Sequence, residues 1–280
     1  MAQAKVIALA ALVLAASSCG YRFSWQKYRM DAHRTGVTAP DALNVDAALG
    51  TLDGALYTAP NGTVYRQGSA TYGVASELIA VQPAMKALKE VVGFAPREMV
   101  ARAPESELSN WWVDCLMDDV AQDAGRKVDV GILNFGGIRT DVPRGNILLD
   151  DFVSMFPFKN YLAYVALKGA DLQVIFDHIA DAHPFVLGGV KLVSDGHRID
   201  TLLVGGRPLD PAKVYGVATV DFLLDGGDGL SVARNALELR MSDQMVIDAV
   251  LRHIRSMKAA GQPFEYFTDG RLVYRNTQED

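Results

Sequence analysis

An apolar run that ends abruptly in polar and glycine residues constrains this chain more than any other feature. Residues 128 to 133 are almost all apolar, which is typical of a buried strand, and Asn134, Gly136, Gly137 and Arg139 follow at once. Two adjacent glycines allow positive φ and a close approach to a ligand, while the flanking side chains offer amide and guanidinium groups. Taken alone, the stretch is more typical of an ordinary turn at a strand end, so its interpretation depends on the rest of the chain.

The composition indicates a globular protein and argues against one class of partner. The chain has 280 residues, of which 50% are hydrophobic and 21% are charged, enough for one large domain or two small ones. Its net charge is -6 and its pI is near 5.4. Because there is no surplus of basic residues to replace the counterions of a phosphate backbone, we expect no nucleic-acid polymer as partner.

The first residues have the pattern of a targeting signal. Lys5 precedes an apolar run, residues 6 to 16, that is too short to span a bilayer as a mature helix. Small residues then lead to Cys19, as in bacterial lipoprotein signals, where this cysteine is lipidated and becomes the new N-terminus. The alternative is a plain secretory signal that ends near Cys19. We therefore expect residues 1–19 to be a lipoprotein-type signal peptide, and the protein to be anchored by lipid in the bacterial cell envelope, facing the periplasm or the surface.

The histidines do not form a metal-binding pattern. The triplet Asp31-Ala32-His33 is of the kind with which several dinuclear metallophosphatases begin their ligand set, but no later Asn-His pair or His-x-His follows. His178 and Asp181 share one helix face, and a solvated polar face is the expected explanation. The sequence therefore predicts no metal site and no cofactor in this chain.

The remaining pattern divides the chain in two. Residues 20–75, with scattered glycine, proline and asparagine, predict a tether and irregular structure with at most a short hairpin, and residues 76–280 predict a folded domain. Apolar periodicity predicts helices over residues 77–92, 145–156 and 242–258, and two more that begin at the Ser106 cap and at Gly169. A strand is predicted over residues 161–167. Runs of β-branched residues with turn dipeptides between them predict a β-meander of strands 190–193, 198–204 and 214–220, and a later hairpin is predicted to turn at residues 269–270.

Two glycine-rich loops that follow predicted strands carry complementary groups. Beside the first loop, Phe158 follows a proline that ends a helix, so its ring is free to project. The second loop contains Phe222 and Asp228. Two phenylalanines can sandwich a flat ring, a carboxylate can accept hydrogen bonds from sugar hydroxyls, and arginines suit phosphate. Together these groups match a nucleotide.

Five short motifs make the chain resemble the C-terminal, substrate-binding domain of the 5'-nucleotidase / UDP-sugar hydrolase family. They occur in the family's order between about residues 95 and 275, and five in order are far more specific than any one alone. The motifs are Arg102-x-x-Glu105 with Asn110, Asn134-x-Gly-Gly-Ile-Arg139, Pro157-Phe158-x-Asn160, Leu167-x-Gly169, and Phe222-x-x-x-Gly226-Gly227-Asp228-Gly229.

The resemblance implies a role for each matched residue. Phe158 and Phe222 stack on the base, Asp228 holds the ribose hydroxyls, and the polar rim is completed by Arg102, Asn134 and Arg139. Phe135 stands where the family often has a small residue, which alters the loop but not the named contacts. The implied fold is α+β, a single domain with a mixed β-sheet, a β-meander and packed helices.

The family's hydrolysis takes place in a separate N-terminal metallophosphatase domain that holds two metal ions. The metals activate water and clamp the transferring group, which aromatic rings and arginines cannot do. Because the ligand motifs of that domain are missing here, we expect the chain to be inactive alone and to work with a separately encoded metallophosphatase chain that carries the divalent metals. One alternative is a non-catalytic nucleotide-binding surface lipoprotein; another is a structural or interaction lipoprotein that has lost nucleotide binding.

Overall fold

The computed structural model describes residues 33–41, 43–181 and 183–275. Cys19, the predicted signal peptide over residues 1–19 and Asp31 lie outside the described residues. The helices are α1 Val45–Leu49, α2 Ala70–Val81, α3 Glu107–Ala124, α4 Leu149–Met155, α5 Gly169–Ala180 and α6 Val246–Ala259. The strands are β1 Thr51–Asp53, β2 Leu56–Thr58, β3 Val64–Arg66, β4 Val91–Ala95, β5 Val130–Leu133, β6 Gly145–Leu148, β7 Tyr161–Lys168, β8 Val186–Gly188, β9 Val190–Ser194, β10 Ile199–Val204, β11 Arg207–Pro208, β12 Val214–Val220, β13 Glu238–Met245 and β14 Leu272–Tyr274.

A five-stranded mixed sheet, in the order β13-β7-β12-β5-β8, forms the centre of the fold. β12 pairs antiparallel with β7 along the full length of β12, whereas β5 lies parallel to β12. Both β5 and β12 therefore end at the same edge of the sheet, and the loops that follow them, with Asn134 and Phe222, emerge side by side.

Helix α3 covers the sheet because its sequence fixes both its ends and its buried face. The Ser106 side chain accepts a hydrogen bond from Ser109 N, as predicted for the cap, and Gly125 ends the helix with a φ of 58°. A Cβ on Gly131 of β5 would lie 2.4 Å from Val113 Cγ2, so the helix and sheet approach closely only because that strand residue is glycine.

A second sheet, β11-β10-β9-β14, corrects two expectations from the sequence. The predicted strands 190–193 and 198–204 do form an antiparallel hairpin, but Val214–Val220 leaves them and joins the central sheet between β7 and β5. The predicted hairpin at residues 269–270 is wrong, because Leu272–Tyr274 pairs parallel with β9. Runs of β-branched residues and the turn dipeptides between them predicted these strands, but they contain no information about which strands become partners.

Three predicted helices are also corrected. Residues 77–92 contain the end of α2, which begins at Ala70 after the Ser69 cap, and then strand β4. Residues 145–156 begin with strand β6, which pairs with β4, and residues 242–245 belong to β13, which pairs with β7. In each case the segment gains a strand partner from elsewhere in the chain, which outweighs the helical periodicity of a short segment.

Within the described residues, buried apolar side chains form two separate clusters. The large one contains the central sheet with α3, α5 and α6, and it includes Cys115, which is 7% exposed. Burial raises the pKa of the Cys115 thiol, so it stays protonated and unreactive. The small cluster consists of Tyr57, Ala59 and Ala75 between α2 and the antiparallel sheet β1-β2-β3, so residues 51–81 are more regular than the predicted tether. The α+β fold predicted from the sequence is confirmed.

Candidate functional site

A cavity of about 220 Å³ lies at the edge of the central sheet where β5 and β12 end. It is lined from three segments: the turn after β5, the segment between α4 and β7, and the loop after β12. Five of the six predicted ligand contacts are brought together here, from positions as far as 94 residues apart. The lining residues are Asn134, Gly136, Gly137, Arg139, Phe158, Asn160, Phe222 and Asp228.

The two phenylalanines are exposed to the same degree. Phe158 is 46% exposed and Phe222 is 45% exposed, so neither ring is part of the core. The Arg139 guanidinium carbon lies 5.7 Å from the centre of the Phe158 ring, and its Nη1 donates a hydrogen bond to Gly136 O at 3.3 Å. These contacts hold the positive charge of Arg139 at the wall of the cavity beside one aromatic face.

Asn134 and Asp228 form the polar end of the cavity. Asn134 Nδ2 donates a hydrogen bond of 2.6 Å to Asp228 Oδ2 across the two loops. Asn134 is only 7% exposed, and its Oδ1 is buried with no protein partner. Asp228 has a φ of 47°, a left-handed conformation that the surrounding loop must support. One oxygen of the exposed Asp228 therefore remains available to a ligand, whereas Asn134 Oδ1 lies buried behind it without a partner.

Glycines shape the cavity because two of its walls have no room for a side chain. A Cβ on Gly227 would lie 2.0 Å from the backbone oxygen of Phe222, and a Cβ on Gly137 would lie 2.5 Å from Trp112 Cη2. Neither distance is possible without movement of the neighbouring group. The loop that carries Phe222 and Asp228 can therefore fold back on itself only with glycine at position 227.

Arg102 lies apart from the other predicted contacts. It is exposed in the segment before α3 and is not among the residues that line the cavity. Its motif neighbours fasten the C-terminal segment: Asn110 Nδ2 donates to Glu105 Oε1 at 2.7 Å and to Phe267 O at 3.0 Å, while Glu105 accepts from Gly270 N. The role of Arg102 as a ligand contact stays a prediction, whereas Glu105 and Asn110 of the same motif have a structural role.

Two residues at the cavity received no role from the sequence. Asn160 stands in a motif that identified Phe158, and it lines the cavity two positions after that ring, while its carbonyl accepts a hydrogen bond from Val246 N. Trp112 lies beneath Gly137 as a buried residue of α3. The motif spacing could have suggested Asn160, but no sequence signal separates Trp112 from an ordinary core residue.

A larger apolar groove of about 280 Å³ lies at α2 and is a weaker candidate for a polar ligand. Its lining has no charged side chain: Thr35, Val37, Leu49, Tyr57, Ala70, Thr71, Val74, Ala75 and Leu78. Ligand sites combine apolar walls with a few convergent polar groups, and the cavity at the sheet edge offers both, together with an aromatic pair.

Metal clusters and membrane-spanning helices are both missing from the described residues. These residues contain no group of three or more His, Cys, Asp or Glu side chains that could hold a metal ion. Among the helices of residues 33–275, none is long and apolar enough to cross a membrane.

Known proteins resemble this chain over much of its length. An apyrase of Tabanus yao is 29% identical over 221 residues, which cover 64% of this chain and 40% of the apyrase. The cell wall protein Lmo0130 of Listeria monocytogenes is 26% identical over 219 residues, covering 69% of this chain and 28% of that protein. The crystal structure of a 5'-nucleotidase precursor from Thermus thermophilus shares the fold, with a TM-score of 0.63 at 23% identity, over 74% of this chain and 44% of that one.

The chain thus spans less than half the length of each of these relatives. Within it, residues 87–235, more than half of the chain, match the family described as "5'-nucleotidase, C-terminal domain". That range contains every residue of the cavity at the sheet edge. This chain belongs to the family of the 5'-nucleotidase C-terminal domain.

Proposed function

We propose that this chain binds a nucleotide or nucleoside in the cavity at the sheet edge and serves as the recognition domain of a 5'-nucleotidase-type phosphohydrolase in nucleotide catabolism. The observation that carries the proposal is that Phe158 and Phe222, both about half exposed, line one cavity with a carboxylate and a guanidinium. Exposed aromatic rings contribute little to folding, whereas they suit a flat heterocycle.

Each lining group has a part in this proposal. The base lies against Phe158 and Phe222, and Asp228 accepts hydrogen bonds from the ribose hydroxyls. A cavity of about 220 Å³ is smaller than the roughly 300–1,000 Å³ of sites that enclose whole ligands, so it holds the base and ribose and leaves the phosphate outside. Arg139 adds positive charge on the side from which an anionic ligand approaches.

The expected affinity is weak. Stacking contributes roughly 1–3 kcal/mol for each aromatic contact, so two rings give about 2–6 kcal/mol before the entropic cost of association. The dissociation constant of a nucleoside should therefore be of order millimolar. Such a domain is useful for positioning a substrate beside metal ions, where orientation lowers the barrier by several kcal/mol.

Titration of adenosine and AMP into the pure protein, followed by NMR, tests the binding proposal. Phe158→Ala and Phe222→Ala should each weaken binding about five- to a hundredfold, because each removes one stacking face. Phe94→Ala is the matched control, since Phe94 is 51% exposed but does not line the cavity, and it should bind as the wild type does. Absence of nucleoside binding at about 10 mM ligand, several times the expected dissociation constant, or equal affinities in all four proteins, would contradict the proposal.

We further propose that a separately encoded metallophosphatase chain hydrolyses the phosphate ester that this chain presents. Support comes from the family: the match is to the C-terminal domain, and the family's hydrolysis depends on metals in another domain. The alternative is a non-catalytic nucleotide-binding surface lipoprotein. Release of phosphate from AMP should be absent with the pure chain in Mn²⁺, Mg²⁺ or Zn²⁺ and should appear when a metallophosphatase chain is added.

Hydrolysis of AMP by the pure chain would overturn the two-chain proposal. If the chain binds nucleotide but does not stimulate phosphate release by a metallophosphatase chain encoded beside it, the non-catalytic lipoprotein is favoured. Either result leaves the binding proposal intact, because that is measured separately.

We also propose a cell-envelope location with a lipid anchor at Cys19. The relative from Listeria monocytogenes is a cell wall protein, which supports the location, and the small residues before Cys19 support the anchor. In a Triton phase-separation assay, the wild-type protein should enter the detergent phase and the Cys19→Ser variant should not. If mass spectrometry of the mature wild-type protein shows no acyl chains, the lipid anchor is contradicted.

A further inference from the structure

The end strand of the central sheet leaves a row of apolar side chains uncovered. β13 lies at one end of the order β13-β7-β12-β5-β8, and within the described residues it pairs only with β7. Leu239 is 46% exposed and Met241 is 49% exposed, and Leu237, directly before the strand, is exposed as well. Val165 and Ala163, which lie opposite Leu239 and Met241 on β7, are both buried. The apolar cover of this sheet face therefore stops at β7.

The other face of β13 carries two opposite charges. Successive residues of a strand point to opposite faces, so Glu238 and Arg240 lie on the face away from the apolar row. They face the C-terminal end of α3, where Arg126 Nε lies 3.4 Å from Glu238 Oε2 and Arg240 Nη1 donates to Ala124 O at 3.3 Å. Glu238 and Arg240 also form an ion pair with each other. The strand thus presents apolar residues on one face and an acid and a base on the other.

An end strand of this kind can accept a further strand. Its outer edge has unpaired N–H and C=O groups, and these pair readily with another extended segment. A second copy of the chain brings the same strand, and antiparallel pairing of the two about a twofold axis gives a closed, self-complementary interface. Whether β13 matches itself depends on which residues such a pairing places opposite each other.

Charge decides this register. With the twofold axis at Leu239, Glu238 of each copy lies opposite Arg240 of the other, Leu239 lies opposite its own equivalent, and Met241 lies opposite Leu237. A shift of the axis by one residue in either direction places Arg240 opposite Arg240 or Glu238 opposite Glu238. Opposite charges across a strand pair are favourable and like charges are unfavourable, so one register matches both faces of the strand.

We propose that two copies of this chain pair through β13, antiparallel and with the twofold axis at Leu239. The five-stranded sheets of the two copies then form one continuous sheet, and the exposed row on each copy is covered by the row on the other. No residue of β13 lines the cavity at the sheet edge, so the pairing does not depend on the proposed nucleoside binding.

Co-purification of two differently tagged full-length copies, expressed together and solubilised in detergent, tests the pairing. Wild-type copies should co-purify, and copies with Leu239→Arg should not, because like charges then meet at the axis. Val64→Arg is the matched control: Val64 is an exposed apolar residue of strand β3 in a different sheet, so this variant should co-purify as the wild type does.

Charge reversal makes the test specific to this strand pair. Two copies with Glu238→Arg should not co-purify, and neither should two copies with Arg240→Glu, because each variant sets like charges opposite each other. A Glu238→Arg copy should co-purify with an Arg240→Glu copy, since every arginine then faces a glutamate. This recovery cannot come from unfolded protein, and a cooperative thermal transition checks the fold of each variant.

A short thiol cross-linker measures the register. Leu239→Cys should give a covalent dimer on a denaturing gel, because the two cysteines meet at the axis, and Val64→Cys should not. Wild-type copies that do not co-purify would overturn the inference and leave the outer edge of β13 to a different chain, such as a metallophosphatase. Co-purification of Leu239→Arg copies, no recovery in the mixed pair of folded charge variants, or no cross-link at position 239 would also overturn it.

Discussion

At the scale of single residues, the site depends on positions where a side chain cannot be added. Gly227 is the sharpest case, because the atom that a Cβ would meet is the rigid backbone oxygen of Phe222, at 2.0 Å. Gly226 and Gly229 beside it have φ of 90° and 82°, so the loop tolerates few alternatives. The geometry of Phe222 and Asp228 is therefore set by the backbone between them.

Gly227→Ala should weaken adenosine binding with little loss of stability. Steric overlap of this kind costs roughly 1–3 kcal/mol, and in an exposed loop the cost appears as a displaced Phe222 or Asp228 instead of as global unfolding. We expect an affinity about five- to a hundredfold lower by NMR titration. In Gly73→Ala, whose Cβ would have no atom within 4 Å, affinity should stay unchanged. Wild-type affinity in Gly227→Ala would show that the loop adapts freely.

At the scale of elements, α3 is joined to α6 by a buried carboxylate. Asp119, with a side chain 5% exposed, accepts a hydrogen bond of 2.9 Å from Arg252 Nη2, and its other oxygen lies 3.1 Å from His253 Nε2. Burial alone would raise the pKa of Asp119, but the hydrogen bonds with His253 and Arg252 outweigh it and lower the pKa below its ordinary 3.8. The charged form is therefore favoured in the folded protein.

The lowered pKa of Asp119 predicts that the folded protein loses stability on acidification. Because the folded Asp119 binds its proton less readily than the unfolded one, its contribution is fully present above about pH 4 and is lost as the pH falls through and below 3.8. Asp119→Asn should lower the free energy of unfolding at pH 7 by roughly 1.5–3 kcal/mol and flatten the decline below pH 4, measured by urea unfolding. The exposed neighbour gives the control: Asp118→Asn should change neither quantity. An unchanged acid decline in Asp119→Asn would contradict the assignment.

The sequence predicted single elements better than their partners. The Ser106 cap, the helix from Gly169 and the strand Val214–Val220 carry local signals, so their positions match the structure. The helices expected over 77–92 and 242–258 include residues that form strands instead, and their strand partners are segments far away in the chain. The ordered motifs indicated a cavity from residues far apart, while the close contact of the Trp112 ring with Gly137 becomes visible only in the packed structure.

At the scale of the whole molecule, the match to the family and the folded unit do not have the same limits. The match ends at residue 235, yet later residues fill the large core: Val250, Ile254, Phe264 and Leu272 are each at most 2% exposed. At about 1.5–3 kcal/mol for each buried side chain, they contribute roughly 6–12 kcal/mol, comparable to the whole stability of a domain. Residues 51–81, by contrast, have an apolar cluster of their own.

Two truncations test this division. A chain that begins at Gln82, which keeps the hydrogen bond from Lys89, should retain a cooperative thermal transition and bind adenosine as the full chain does, because the large cluster and every cavity residue remain. A chain that ends at residue 235 should show neither, since β7 loses β13 and the core loses α6 and Leu272. Circular dichroism and NMR titration measure both. If the first chain fails to fold, the sheet β1-β2-β3 with α2 supports the main core, and the domain then begins before the predicted boundary at residue 76.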